Sequence, residues 1–315
     1  MVSFIAGEHY SPTIGGLKPE LVGKNMCDEK TVNENEAFLQ GDLSRRQFAK
    51  LSAAAGVAMV LPTVANALSV TEQDVDVTTA DGVADCYFVH PTSGKYPAVL
   101  IWPDILGLRP AFRAMGKRLA ESGYAVLVIN PFYRSARSPV VALGASFADP
   151  QTRAKVLPLA RALNADTHFS DARDFIAFID KQGAVDSDKK IGTSGYCMGG
   201  PMVVRTTAAV PDRVGAGATF HGGGLVTADE DSPHRLIAKT QAQVLHCLAA
   251  NDDERDSSIK TQLRSAYEEA KLAAEIEVYA GAMHGWCPPD SSVYNEVQAE
   301  RAWARMLHLF EQTLA

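Results

Sequence analysis

The chain has 315 residues, 46% of them hydrophobic and 21% charged, which is enough length and apolar content for one large or two small domains. A formal net charge of −7 with no run of Lys and Arg argues against a nucleic-acid-binding surface. Five irregularly spaced cysteines form no disulfide framework, and the lack of CxxC, HxxxH and P-loop spacings argues against a zinc or nucleotide-phosphate site.

Residues 1–43 are polar and poor in periodic pattern, and read as a flexible extension. "SRRQFAK" follows, then the short alanine-rich stretch "LSAAAGVAMVLPTVANA". Paired arginines Arg45 and Arg46, a weakly apolar segment and Ala65-Asn66-Ala67 resemble a twin-arginine export signal with an A-x-A cleavage site. The apolar part is too short for a stable membrane span. The expected division is 1–67 as extension and signal region and 68–315 as the folded domain, periplasmic or exported through the twin-arginine machinery. The alternative is a cytoplasmic protein in which this stretch is a surface helix starting with two arginines.

From residue 68 onward, strand and helix patterns alternate. "DVDVTTADGVADCYFVH" predicts two short strands turning at Asp81-Gly82. The continuous apolar run 96–102 predicts a strand covered on both faces. Residues 109–123 carry Phe112, Met115 and Leu119 at helical spacing and stop at Gly123. A second buried strand spans 124–132. Residues 134–165 read as irregular and then part-helical, a lid or substrate loop. An amphipathic helix follows over 166–183, with Asp166 as N-cap. "KKIGTSGYC" predicts a strand running into Cys197, with a helix after it. Strands are predicted at 213–223, 242–252 and 274–285, and helices at 256–273 and 293–312. Repeated β-α units imply a mostly parallel central sheet with helices on both faces, where sites form at the carboxyl ends of strands.

Cys197, Asp252 and His284 each follow a predicted strand, in the chain order nucleophile, acid, base. Gly195 and Gly199 flank Cys197 two residues away on either side, as a sharp strand-to-helix bend requires where side chains would meet neighbouring backbone. Such a bend puts the sulfur at a helix N-terminus, where the dipole favours thiolate. "NDDERD" also offers Asp253 and Asp256, but Asp252 is nearest the strand end. The oxyanion donors expected are the backbone N–H groups of Met198, next after the nucleophile, and Ile105, in the loop "WPDILG". "HGGG" at 221–224 follows the bend and reads as a strand-end turn, with His221 lining the pocket. Cys86 and Cys247 read as core and Cys287 as pocket lining. Trp102, Phe132, Tyr133 and Trp286 read equally as pocket walls or core.

"WPDILGLRPAFRAMGKRLAESGYAVLVINPFYR", "GYCMGG", "AAND" and "GAMHGW" together resemble the dienelactone hydrolases (carboxymethylenebutenolidases) over nearly all of 70–315. The resemblance implies an α/β-hydrolase fold, no cofactor, a small-molecule ester or lactone substrate, and a triad of Cys197, His284 and Asp252. It also implies an acidic switch residue for the cysteine, which falls on Asp104, one methylene shorter than the family's glutamate. Arginines that hold a substrate carboxylate in that family have no counterpart just after His284, so Arg134, Arg137 and Arg153 are the substitutes to consider. The chemistry of a thiolate points the same way. A thiolate is a good leaving group, so its tetrahedral adducts partition forward only when the other leaving group is also good, as in enol esters, enol-lactones, aryl esters and thioesters. The expected function is hydrolysis of activated esters or lactones through a thioester acyl-enzyme. The alternatives are a broader carboxylesterase or thioesterase, and a non-catalytic small-ligand-binding protein on the same fold.

Overall fold

The structure is a computed structural model, which describes residues 28–42 and 61–314. The arginine pair Arg45-Arg46 lies outside the described residues, as do 1–27 of the extension. The part of the extension read as flexible that is described forms a helix, α1 (Glu29–Asp42).

The hairpin strands β1 (Val70–Thr79) and β2 (Gly82–Pro91) are ten residues each, longer than their alternation suggests. Their register pairs Thr79 with Gly82, so the two-residue loop is Ala80-Asp81, one position earlier than predicted, and Gly82 supplies a φ of 140°. Then come β3 (Ala98–Trp102), α2 (Pro110–Glu121) and β4 (Ala125–Ile129). Both strands are buried along their whole length, as expected of the uninterrupted apolar runs.

The irregular stretch contains α3 (Pro150–Arg161), opened by Asp149, whose carboxylate accepts from Thr152 N at 2.8 Å. Next is α4 (Ala165–Ile179). Its N-cap is Asn164, not Asp166: Asn164 Oδ1 accepts from Thr167 N at 3.0 Å, and Thr167 Oγ1 accepts in return from Asn164 N at 3.0 Å. Asp166 sits inside the first turn, where its charge favours the helix dipole. The remaining elements are β5 (Ile191–Tyr196), α5 (Gly199–Ala209), β6 (Val214–Phe220), the single turn α6 (Pro233–Leu236), β7 (Gln243–Ala249), α7 (Ala250–Arg255), α8 (Ser258–Ala270), β8 (Ala274–Tyr279) and α9 (Glu296–Thr313).

Among the described residues one eight-stranded sheet runs β1-β2-β4-β3-β5-β6-β7-β8. β1 and β2 are antiparallel to their neighbours, and every pairing from β4 through β8 is parallel. This is the mostly parallel sheet with helices on both faces that the sequence predicts. One face packs on α4 and α5 through Phe175, Ile176, Met202 and Val203. The other packs on α2 and α9 through Phe112, Met115, Leu119, Met306 and Phe310. Each such side chain taken fully from water contributes about 1.5–3 kcal/mol. The parallel strands all deliver their carboxyl ends to one edge of the molecule, and the loops there carry the candidate site.

Candidate active site

β5 ends at Tyr196 and α5 begins at Gly199, leaving two residues to reverse the chain. Cys197 takes the left-handed φ of 52° that so tight a reversal demands, a conformation costly for any residue but glycine. A Cβ at Gly195 would collide with the Gly199 carbonyl, and one at Gly199 with the Trp102 carbonyl, lying also 2.9 Å from Pro103 O. Two glycines are thus needed for the bend to pack against the end of β3. The bend is pinned by Cys197 N donating to Phe220 O (3.0 Å) and by Gly200 N donating to Cys197 O (3.0 Å).

The same close approach brings the β3 end loop beside the α5 N-terminus, where Ile105 and Met198 lie buried. Among the described residues, no backbone or side-chain acceptor takes up either N–H.

Asp252 lies in the first turn of α7, three residues beyond the end of β7, because the chain turns helical at Ala250. His284 lies on the loop after β8. The structure brings them together: His284 Nδ1 donates to Asp252 Oδ2 at 2.6 Å. Of the other candidate acids, Asp253 is held by Lys260 at 2.6 Å, and Asp256 caps α8 by accepting from Ser258 N at 3.0 Å. The His284 imidazole also reaches the Cys197 sulfur. Burial opposes charge on His284, but the Asp252 carboxylate and the Cys197 sulfur outweigh it and hold its pKa well above the usual histidine range. Asn251, which sequence reasoning missed, fixes the base from behind, its Oδ1 accepting from His284 N at 2.8 Å.

His221 is fully buried at the wall of this site, in a left-handed conformation with φ 41°. Its ring meets the His284 ring edge-on at 5.1 Å. Burial, together with the neighbouring His284 charge, keeps its pKa below the ordinary value. Trp286 is fully buried, stacks on Tyr279 at 4.8 Å and stands 6.2 Å from His221, so it backs the site from within the core.

Asp104 is buried near the sulfur, and burial raises its pKa although Arg109 works against the rise. Arg109 was not singled out from the sequence. It grips Asp104 with Nη1–Oδ1 at 2.6 Å and Nη2–Oδ2 at 2.9 Å, and Asp290 with Nε–Oδ2 at 2.6 Å and Nη2–Oδ1 at 2.9 Å. The fifth N–H goes to Gly107 O at 3.3 Å, so the whole guanidinium fork is engaged.

Tyr133 and Arg134 are both engaged by acidic partners, and Tyr133 also by a hydroxyl. The Tyr133 hydroxyl donates to Asp171 (2.7 Å) and accepts from Thr79 (2.8 Å), while Arg134 pairs with Asp81 and Asp171, bracing the hairpin tip on α4. Arg137 pairs with Asp76, and Arg153 donates to Phe147 O and Ala148 O. The described cysteines, Cys86, Cys197, Cys247 and Cys287, are buried and free of disulfides. Among the described residues no group of three or more His, Cys, Asp or Glu is arranged to hold a metal ion, and no helix is long and apolar enough to cross a membrane.

The Dienelactone hydrolase family model matches residues 84–314. A Synechocystis sp. protein named as a carboxymethylenebutenolidase is 24% identical over 239 residues, covering 72% of this chain and 91% of that one. A Bradyrhizobium sp. protein named as a 2-oxo-3-(5-oxofuran-2-ylidene)propanoate lactonase is 23% identical over 238 residues, covering 74% of this chain and 91% of its own. Among solved structures, a dienelactone hydrolase-like promiscuous phosphotriesterase from metagenomic libraries superposes with a TM-score of 0.65 at 20% identity, covering 78% of this chain and all of that one. The dienelactone hydrolase of Anabaena variabilis superposes with a TM-score of 0.56 at 16% identity, covering 78% of this chain and 99% of that one. The structural likenesses carry the fold.

Proposed function

Because this chain belongs to the dienelactone hydrolase family and is a carboxylic ester hydrolase, we propose that it hydrolyses activated esters or lactones with Cys197 as nucleophile. The observation that carries the reading is the His284–Asp252 pair at 2.6 Å, its imidazole turned to a cysteine on a strained bend.

In the proposed cycle the Cys197 thiolate adds to the carbonyl carbon and the oxyanion is held by the N–H groups of Met198 and Ile105. The imidazolium of His284 gives its Nε2 proton to the leaving oxygen as the C–O bond breaks, leaving a thioester. Neutral His284 then takes a proton from water, the hydroxide adds to the thioester, and the second tetrahedral adduct expels the thiolate. Asp252 keeps the Nδ1 proton in place and stabilises the imidazolium in both halves. Since the first adduct can also expel the thiolate, alkoxides of high pKa lose this competition, and enol or aryl leaving groups win it. The wall of the site formed by Arg109 offers no donor to a substrate carboxylate, because two aspartates and Gly107 take all five. Uncharged acyl groups are therefore the substrates expected there. Export of the protein through the twin-arginine route is part of the same reading, supported by Arg45-Arg46 and the A-x-A at 65–67.

The test is turnover of a panel of enol-lactones, aryl esters and alkyl esters. Enol-lactones and aryl esters are expected to exceed alkyl esters in kcat/KM, and Cys197→Ala to lower turnover about 10³-fold or more. Equal rates on alkyl esters would favour a broad carboxylesterase, and turnover untouched by Cys197→Ala would remove the nucleophile assignment.

A further inference from the structure

Helix α1 docks on the loops that carry the candidate acid and base. Asp28 starts it, its Oδ1 accepting from Thr31 N at 2.9 Å and Thr31 Oγ1 at 3.0 Å. Glu34 Oε2 accepts from Asn251 Nδ2 at 2.9 Å and Arg255 Nη2 at 2.7 Å. Arg255 also donates to Thr31 Oγ1 at 3.1 Å and lies 3.8 Å from Asp28. One turn face further, Asn35 Nδ2 donates to the backbone carbonyl of His284 at 3.0 Å. Asn251 in turn holds the His284 N–H. The helix therefore grips both sides of the Asp252–His284 pair from outside.

Cys197 is 3% exposed and His284 5%, and α1 lies against the loop that carries His284. The contacts of α1 are of a kind that can be released. They are polar, centred on one arginine and one asparagine, and of its side chains Thr31 is buried while those of residues 32–39 are half-buried or exposed. A helix of 14 residues, with Val32, Phe38 and Leu39 as its large apolar side chains, is marginal by itself in water, so it depends on its docking site for its shape. Its charge suits that site: Glu34 pairs with Arg255 at 2.7 Å and Asp28 lies 3.8 Å from it. Residues 65–69, between α1 and β1, are exposed, and a cut there would detach α1 without breaking a strand pairing, since the sheet starts at Val70.

We propose that Asn251, Arg255 and the His284 carbonyl form a docking site for the chain's own acidic N-terminal helix, whose occupancy keeps the hydrolase closed until that segment is removed. The inference rests on the triad reading above for its effect on catalysis, but the docking itself does not. Activity then follows the fraction of molecules with the helix released.

The test uses the full chain carrying Glu34→Ala with Asn35→Ala, and separately Ala37→Pro, which breaks the helix interior without touching the catalytic domain. Both are expected to raise Cys197-dependent turnover of an aryl acetate about tenfold, with the thermal midpoint of the domain held. Amide hydrogen exchange over 250–255 and 282–286 is expected to quicken in both, giving a readout independent of turnover. Exchange that stays as slow as in the parent chain overturns the docking site, whatever the activity. Faster exchange with turnover unchanged or lowered overturns the closure. Turnover that survives Cys197→Ala in every variant sinks the triad reading instead, and leaves the exchange result to judge the docking.

Discussion

His284 is a buried base whose pKa the Asp252 carboxylate holds up against the opposing effect of burial. Its raised pKa gives a sign that can be worked out. A histidine bound more tightly to its proton when folded adds stability that is present in full below its unfolded pKa, about 6.5, and is lost as pH rises through the higher folded value. Replacing Asp252 with Asn removes that carboxylate and returns the folded pKa toward the ordinary range. The stability difference between parent and Asp252→Asn, measured by urea unfolding from about pH 5.5 to 9, is expected to be greatest at the acid end and to shrink with rising pH. A difference that grows with pH would mean that Asp252 does not hold an imidazolium. Among these residues, the ones legible in sequence were those with a local signature: Cys197 between its glycines, and His284 and Asp252 in the right chain order. Arg109 and Asp290 were not legible because they meet across 181 positions of sequence, and no spacing encodes that contact. Arg134 looked like a candidate for substrate binding by charge alone, and its partners Asp81 and Asp171 are brought to it only by the fold.

The elbow is an element whose sequence and geometry can be set against each other directly. Gly199→Ala would drive a methyl group into the Trp102 carbonyl, which is backbone at the end of a central strand and cannot step aside cheaply. The expected cost is about 3 kcal/mol or more, with loss of turnover as the β3 end loop is pushed away from Cys197. Gly183→Ala is the matching control, since a Cβ there meets nothing within 4 Å, and it is expected to stay within about 0.5 kcal/mol. Urea unfolding of the pair checks both values, and equal stability would show that the bend has room for a side chain. Elements with strong periodicity, such as β3, β4 and α2, were readable in advance. α7 was not, because the apolar run of β7 passes straight into Ala250 and the acidic residues after it look like a loop. α1 was missed for a related reason: its apolar residues Val32, Ala37, Phe38 and Leu39 are few and form no sustained helical stripe.

At the scale of the molecule, the sheet edge decides how much of the chain can be lost. β1 pairs with β2 from Val70 onward, and just before it Leu68 N donates to Glu121 O at 3.0 Å and Ser69 O accepts from Thr92 N at 2.9 Å. The three residues Ala65, Asn66 and Ala67 lie exposed, with Asn66 in the left-handed conformation of a turn (φ 58°). A peptidase that recognises small residues at A-x-A would find them accessible, and cutting after Ala67 spares every strand pairing and both docking contacts at 68 and 69. The losses on the folded side are Leu61, which packs against the α2–α9 face of the core, and the polar docking contacts of α1. One half-buried leucine is worth about 1–2 kcal/mol, a small part of the stability of a domain this size. Protein recovered from the periplasm of an expressing bacterium is therefore expected to begin at Leu68 by N-terminal sequencing, and to unfold within a few degrees of the uncut chain, about 2–4 °C per kcal/mol lost. Changing Arg45 and Arg46 to Lys should hold the uncut chain in the cytoplasm if the arginine pair is what the export machinery reads. Periplasmic protein that keeps its first residues, or full export of the lysine variant, would rule out the processing route and with it the natural trigger for releasing α1.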